Sequence, residues 1–177
     1  MNKILLLIIF LIATGSCCFA QTKTTTQLSI GTEFGLPTGS YSGIYGSIFG
    51  GSVKLELPVK GNDLYFTITT GYSVLFKKIT YNGPASNLLF LPLEAGGKYY
   101  FSKLGYVEGD FGVSEGVNSD FSGKRGFLYA PGIGFSAPTN KHKSTIDISL
   151  RYESRLESGT AINQIAARLS YRFSLKK

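Results

Sequence analysis

Two glycines in the last third of the sequence have the spacing of a cofactor-binding turn. Gly132-x-Gly134-x-x-Ala137 matches the pattern of a dinucleotide-binding loop. Such a loop must follow a strand and open a helix, with an acidic residue about 20 positions further on. Here the glycines alternate with larger residues along a predicted strand. We therefore interpret them as positions that leave room for bulky neighbours, and we expect no cofactor.

A lone histidine and several carboxylates are the other residues that could take part in catalysis or metal binding. His142 stands between two lysines in a predicted turn, with no second histidine or cysteine nearby to complete a metal site. Because this only histidine lies in a basic turn, we also expect no Ser-His-Asp catalytic triad. Glu94, Glu108 and Asp110 could form an acid–base pair, but their pattern favours ion-pair partners. We therefore predict no catalytic, cofactor-binding or metal-binding residue, and we expect that the protein is not an enzyme.

The elements that carry these side chains are strands with two contrasting faces. In residues 164–175, Ile165 and Leu169 lie on one face, and Arg168 and Arg172 lie on the other, because side chains alternate along a strand. Similar segments, separated by turn residues, recur along the chain: residues 27–36, 44–57, 64–78, 88–101, 104–117, 127–137, 145–156 and 164–175. Pro92 lies inside the fourth and suggests a bulge or an early irregular section there. The pattern predicts an all-β fold, a closed antiparallel up-and-down eight-stranded transmembrane β-barrel.

Charged residues concentrate on one face of these strands and are nearly absent from the other. A lysine or arginine that faces the middle of a bilayer costs about 2–4 kcal/mol. We therefore predict that the charges face inward as a balanced network and that the apolar face contacts lipid. The predicted interior network is Glu33, Lys54, Glu56, Lys77, Glu94, Lys98, Glu108, Asp110, Asp147, Arg151, Glu153, Arg168 and Arg172. An eight-stranded interior is only wide enough to be filled by side chains, so we expect no open pore.

The N-terminus has the layout of an export signal. A basic residue, an apolar run and Cys18-Phe19-Ala20 predict a signal peptide over residues 1–20, cleaved after Ala20. Lipidation at Cys17 or Cys18 is the alternative. Residues 21–26 would then be a periplasmic lead, and residues 27–177 the barrel domain. The net charge of +7 is spread singly along strands, which argues against nucleic-acid binding.

Both ends of an even-stranded barrel lie on the same side, so its odd-numbered connections face the exterior. We predict residues 37–43, 79–87, 118–126 and 157–163 outside, and residues 58–63, 102–103 and 138–144 on the periplasmic side. The longest connections thus fall outside and the shortest inside, as outer-membrane barrels prefer. The exposed loop residues that could contact a ligand are Tyr81, Phe121, Lys124 and Arg125. Aromatic girdles are predicted at both strand ends: Tyr45, Phe76, Phe127, Tyr129 and Tyr152 outside, and Phe66, Tyr99, Phe101, Tyr171 and Phe173 at the periplasmic end.

Several short stretches also carry a family resemblance. They are Leu91-Pro92-Leu93-Glu94, Lys98-Tyr99-Tyr100-Phe101, Ser149-Leu150-Arg151-Tyr152-Glu153 and Leu169-Ser170-Tyr171-Arg172-Phe173. With them, the mature chain resembles the small eight-stranded outer-membrane β-barrel proteins common in Bacteroidetes-type bacteria. The resemblance implies insertion by the barrel-assembly machinery, with Tyr171 and Phe173 as the C-terminal assembly signal. The chain ends at Lys176-Lys177, beyond the position where that signal most often stands.

These observations predict a monomeric protein of the outer membrane, in contact with its lipid, with a structural, scaffold or interaction role. The first alternative is a surface-binding module whose loops 79–87 and 118–126 engage an extracellular protein or glycan. A membrane enzyme with its site at the barrel mouth is another. A soluble, lipocalin-like barrel is the last, and it would require the apolar face to be the core.

Overall fold

The computed structural model of the protein describes residues 25–60, 63–118, 123–139, 144–157 and 159–175. The predicted signal peptide, with Cys17 and Cys18, lies outside the described residues, as do Phe121 and His142. No helix within the described ranges is long and apolar enough to span a membrane.

Eight antiparallel strands form one closed barrel in which each strand pairs with its neighbours in the chain and β8 pairs with β1. The strands are β1 (Gln27–Thr38), β2 (Tyr45–Lys60), β3 (Leu64–Lys77), β4 (Leu88–Tyr100), β5 (Gly105–Gly116), β6 (Arg125–Pro138), β7 (Thr145–Glu157) and β8 (Thr160–Ser174). A short 3₁₀ helix, Gly39–Gly43, connects β1 to β2. The predicted fold class is confirmed.

The alternation that predicted the strands is also the alternation of burial. In β8, Ile165 and Leu169 are 47% and 53% exposed, whereas Arg168 and Arg172 are 3% and 7% exposed. In the other strands most outward residues are large and apolar, and most charged residues are buried. A smaller set of apolar residues, which includes Ile48, Leu75 and Phe90, is buried inside the barrel as well. A barrel with a charged interior and an apolar exterior is the arrangement that a bilayer requires.

The two ends of the barrel differ in their connections. The terminal end carries the start of β1, the end of β8 and the connections 61–63, 101–104 and 139–144. The loop end carries connections 39–44, 78–87, 117–124 and 158–159. The longest two connections lie at the loop end, as predicted, but the prediction for residues 157–163 was wrong. Thr160 already begins β8, and the turn contains Gly159 with a φ of 84°, a conformation that glycine adopts without strain.

Irregularities in β2 overturn two further predictions. The register against β3 shifts between Tyr45 and Ser47, so Tyr45 points into the barrel and is buried, not part of an outer girdle. A second shift lies between Pro58 and Lys60, and β2 continues through Pro58 instead of ending there. Extra residues in one strand of a pair exchange its two faces, which simple alternation does not anticipate.

Pro92 does not create the predicted bulge in β4. The register of β4 against β3 is the same before and after it, with Thr70 opposite Leu93 and Ser73 opposite Phe90. β3 and β4 are not paired between these two positions, because proline has no N–H to donate to the ladder. The carbonyl oxygen of Pro92 instead accepts a hydrogen bond from Thr70 Oγ1 at 3.0 Å.

Candidate functional site: the charged barrel interior

A closed ring of alternating charges lies inside the barrel near its terminal end. Lys98 Nζ lies 3.1 Å from Glu56 Oε1 and 3.3 Å from Asp147 Oδ2. Arg172 contacts the same two carboxylates, at 3.1 Å from Glu56 and 3.5 Å from Asp147. Two cations and two anions from β2, β4, β7 and β8 therefore satisfy one another. We call these four residues the terminal ring.

Three tyrosines pack together on the terminal side of this ring. Tyr65 and Tyr106 are buried, and both pack against Tyr100, with ring centroids 5.9 and 5.5 Å apart. Lys98 Nζ lies 3.9 Å from the centroid of the Tyr106 ring, a cation–π contact. Arg172 also donates a hydrogen bond to the Tyr100 hydroxyl.

A second ionic group lies one layer further into the barrel. Lys54 Nζ lies 2.7 Å from Glu108 Oε2 and 3.2 Å from Asp110 Oδ2, and all three side chains are buried. Thr67 Oγ1 donates to the other oxygen of Asp110 at 2.7 Å. Gly96 makes space for this group, since an added Cβ there would collide with Asp110 Oδ1 and with the Gly109 carbonyl.

Arg151 organises the half of the interior towards the loop end. Its guanidinium nitrogens lie 3.0 Å from Glu94, 2.6 Å from Glu153 and 3.7 Å from Glu33. Arg155 Nη2 approaches Glu153 at 2.5 Å. We call these five residues the Arg151 cluster.

Two charged residues of the interior were not predicted from the sequence. Arg155 and Glu157 are both buried, at 3% and 7% exposure. Extending the alternation of Asp147, Arg151 and Glu153 by two and four residues along β7 would have found them.

An apolar cluster fills the barrel between the Arg151 cluster and the loop end. It consists of Tyr45, Ile48, Leu75, Leu88, Phe90 and Ile162, with Tyr41 and Ile44 packed against it. The guanidinium carbon of Arg155 lies 4.7 Å from the centroid of the Phe90 ring, so the charged and apolar layers contact each other directly. Burial, assisted by the carboxylate of Glu157, raises the pKa of the Tyr41 hydroxyl in the 3₁₀ helix.

Two predicted network residues have different surroundings. Lys77 is half-buried at the loop end, and its Nζ donates to the Gly83 carbonyl at 2.9 Å and lies over the Tyr81 ring. Arg168 is buried opposite Glu33 in the β1–β8 register, but no carboxylate of the described ranges lies within ion-pair distance of it. The interior is therefore several discrete ionic groups and not one continuous network.

The two longest connections at the loop end are joined at their bases by two asparagines. Asn118 Oδ1 accepts from the backbone N–H of Leu89 at 2.7 Å, and Asn118 Nδ2 donates to the Asn87 carbonyl at 2.8 Å. Asn87 Oδ1 accepts from the N–H of Lys77 at 2.9 Å. This chain of hydrogen bonds fixes the ends of β3, β4 and β5 relative to one another.

The candidate contact residues sit around this base. Tyr81 is half-buried within its own loop, and Lys124 is exposed. Arg125 is the first residue of β6 and does not belong to the loop. Its Nε lies 2.9 Å from Glu115 on the outside of the barrel. An ion pair with both partners this exposed contributes little to stability.

The aromatic residues predicted as girdles lie mostly on the outer surface. Eight are exposed, Phe173 is half-buried, and Tyr45 is buried as described above. Tyr171 and Phe173 lie on the same face near the end of β8, with ring centroids 6.5 Å apart. Their use as an assembly signal stays a prediction.

The glycines of the cofactor pattern and the carboxylates considered for acid–base chemistry all lie within strands. Gly132 and Gly134 both lie within β6, so the cofactor pattern is not at the start of a helix. Glu94, Glu108 and Asp110 each take part in ion pairs with interior cations. Among the described residues, no group of histidine, cysteine, aspartate and glutamate side chains is suited to hold a metal ion.

Comparison with solved structures supports the fold that the geometry displays. The attachment invasion locus protein Ail of Yersinia pestis aligns with 86% of this chain and 100% of its own, at 16% identity and a TM-score of 0.57. Neisserial surface protein A aligns with 88% of this chain and 100% of its own, at 14% identity and a TM-score of 0.62. The chain thus has the fold of the small eight-stranded outer-membrane barrels.

A further structure shows Ail in complex with the heparin analogue sucrose octasulfate, at 16% identity, 86% and 100% coverage and a TM-score of 0.54. No protein-family model and no curated protein matches the sequence. The predicted resemblance to small outer-membrane barrels is confirmed at the level of fold, and its bacterial group stays a prediction. The predicted location in the outer membrane agrees with this fold and with the apolar outer surface.

Proposed function

We propose that this protein is a monomeric outer-membrane barrel with a closed interior, whose role is structural or that of a scaffold. The observation that carries the proposal is the filling of the barrel along its axis. Three tyrosines, the terminal ring, the Lys54 group, the Arg151 cluster and the apolar cluster follow one another from end to end. An eight-stranded barrel packed in this way has no room for a solute path.

The outer surface fits the membrane that this role requires. From Ile165 in β8 to Leu175 just after its end, the outward residues are apolar or aromatic. Ten residue steps at about 3.4 Å, tilted by about 40°, give an apolar height of roughly 25 Å, the height of the lipid-facing band in outer-membrane barrels. Export would follow cleavage after Ala20, and assembly would use the barrel-assembly machinery with the β8 aromatics as its signal.

Electrical recording in planar lipid bilayers tests the closed interior. The refolded protein is added at increasing amounts, with the boiled, unfolded protein as the baseline. We expect folded and boiled samples to give the same current, because no aqueous path crosses the barrel. Uniform conductance steps that appear only with folded protein would contradict the proposal.

A second role, binding of an anionic glycan, is favoured by the loop end. The asparagine contacts fix the bases of connections 78–87 and 117–124 relative to each other, and a pre-organised base lowers the entropy lost on binding. Lys124 and Arg125 are exposed beside them. The complex of Ail with a heparin analogue shows that another protein of this fold binds a sulfated ligand.

Retention on an immobilised sulfated polysaccharide tests this second role. The double variant Lys124→Gln/Arg125→Gln should elute at lower salt than the wild type, because lost cationic contacts weaken such binding. Lys103→Gln, an exposed lysine at the terminal end, is the matched control and should elute with the wild type. Equal elution of all three proteins would exclude binding through these loop-end cations.

A further inference from the structure

We propose that a small cavity in the loop half of the barrel is a binding site for one water molecule, held by Ser52, Ser73, Arg151 and Arg155. The cavity has a volume of about 20 Å³ and lies between the barrel wall at β2–β4 and the Arg151 cluster. A space of at least about 10–15 Å³ is needed to hold one water. The size therefore suits a single water molecule.

The polar atoms around this cavity match the hydrogen-bonding capacity of water. Ser52 Oγ, Ser73 Oγ, Arg151 Nε and Arg155 Nε are all buried, and none has a hydrogen-bond partner in the part of the chain that the structure describes. All four residues line the cavity. The two guanidinium N–H groups can donate to the water oxygen, and the two hydroxyls can accept its hydrogens. Buried waters commonly make two to four such bonds.

The strand ladder is interrupted at the same place. Pro92 lines the cavity and lies in the stretch where β3 and β4 are not paired, between Thr70 and Ser73. A proline cannot donate a hydrogen bond to the ladder, so regular strand pairing is interrupted at the wall of the cavity.

The charges around the cavity favour a neutral ligand over an ion. Glu33, Glu94 and Glu153 line it together with Arg151 and Arg155, which is three carboxylates against two guanidinium groups. The excess of negative charge opposes chloride. The two arginines beside the unpartnered hydroxyls oppose a metal cation, which would need oxygen ligands all round.

The terminal half of the interior provides an internal contrast. No buried side-chain atom of Glu56, Lys98, Asp147 or Arg172 lacks a hydrogen-bond partner. The terminal ring therefore satisfies itself, whereas the loop half leaves its donors and hydroxyls to a bound molecule. The water assignment is independent of the proposed membrane role, because it rests on interior atoms alone.

Crystals of the full chain grown with rubidium bromide would test both the site and the identity of its occupant. We expect one density peak at hydrogen-bond distance from Ser73 Oγ, about 2.7–3.2 Å, with no anomalous signal at either the rubidium or the bromine absorption edge. Either anomalous signal at this position would overturn the assignment to water. A cavity closed by rearranged side chains, without a peak, would overturn the site.

Two serine variants test which hydroxyl holds the water. Ser73→Ala removes a hydroxyl that lines the cavity, and Ser114→Ala removes a buried, unpartnered hydroxyl that does not. We expect the occupancy of the peak to fall at least about twofold in Ser73→Ala, since the water loses one of four bonds, and to stay unchanged in Ser114→Ala. Equal occupancy in the two variants would overturn the role of Ser73. If Ser73→Ala does not fold, Ser52→Ala replaces it with the same expected result.

Discussion

Arg172 in β8 donates a hydrogen bond from Nη1 to Glu56 Oε2 in β2 at 3.1 Å, across a sequence separation of 116 residues. β1 lies between these two strands, and it joins them only when the first and last strands pair. The terminal ring therefore forms with the closure of the barrel. Because burying charges costs most of what their attraction returns, we interpret the ring as a device for register and closure more than for net stability.

Removing one cation from this ring should be severely destabilising. Lys98→Met leaves Glu56 and Asp147 buried with a single cation between them. We expect the free energy of unfolding to fall by about 3–5 kcal/mol, the usual cost of breaking a buried ion pair from one side. Urea unfolding of the protein in lipid vesicles measures it.

The exposed ion pair on the outside of the barrel is the matched control for this variant. Arg125→Met breaks a contact with Glu115 that is open to solvent, and we expect a loss below about 1 kcal/mol. Similar losses for Lys98→Met and Arg125→Met would show that the terminal ring contributes no more than a surface pair.

Gly96 in β4 and Gly109 in β5 have different surroundings, so they should respond differently to an added methyl group. Gly96→Ala would place Cβ against Asp110 and the Gly109 carbonyl, whereas Gly109→Ala has nothing within 4 Å. We expect the free energy of unfolding to fall by about 1–3 kcal/mol in Gly96→Ala, as in other overpacked interiors, and to stay almost unchanged in Gly109→Ala. The refolded fraction on a gel without boiling measures both variants. A fully refolded Gly96→Ala protein would contradict the described packing around Asp110.

The outward face of β8 should reject charge according to depth. Leu169→Arg places a guanidinium within the apolar band and should cost about 2–4 kcal/mol, whereas Leu175→Arg near the strand end should cost at most about 1 kcal/mol. Both leucines are exposed on the same face. Refolding yield into vesicles measures the difference. Equal yields would mean that this face does not contact hydrocarbon.

The asparagine contacts at the loop end should control local hydrogen exchange. Asn118→Ala removes the acceptor of the Leu89 N–H, so this amide should exchange faster with solvent deuterium. Asn118→Asp keeps the carbonyl-type acceptor and loses only the donor to Asn87, so the Leu89 amide should stay protected. Exchange at single amides by NMR distinguishes the two. Unchanged Leu89 protection in Asn118→Ala would show that Asn118 does not hold the loop bases.

Alternation predicted most of the barrel because each strand has to separate the same two environments. It placed twelve of the thirteen charged residues on the buried or nearly buried face, with Lys77 half-buried at a strand end. It failed at Tyr45, where a register shift exchanges the faces, and at β8, where Ala161 and Ile162 continue the strand through residues assigned to a loop. Which cation pairs with which carboxylate could not be predicted from the sequence. The pairing of Arg172 with Glu56 depends on the register between strands, which the alternation of residues does not give.

The central claim is that the charged face lies inside and the apolar face contacts lipid. The chain contains no tryptophan, so a single one can be introduced as a reporter. Phe111→Trp replaces an aromatic residue that is 57% exposed in the middle of β5, and Phe90→Trp replaces one that is 1% exposed inside the barrel. In vesicles of lipid brominated on its acyl chains, we expect strong quenching of the Phe111→Trp fluorescence and little quenching of Phe90→Trp. Quenching of Phe90→Trp alone, or of neither protein, would contradict the assignment of the two faces.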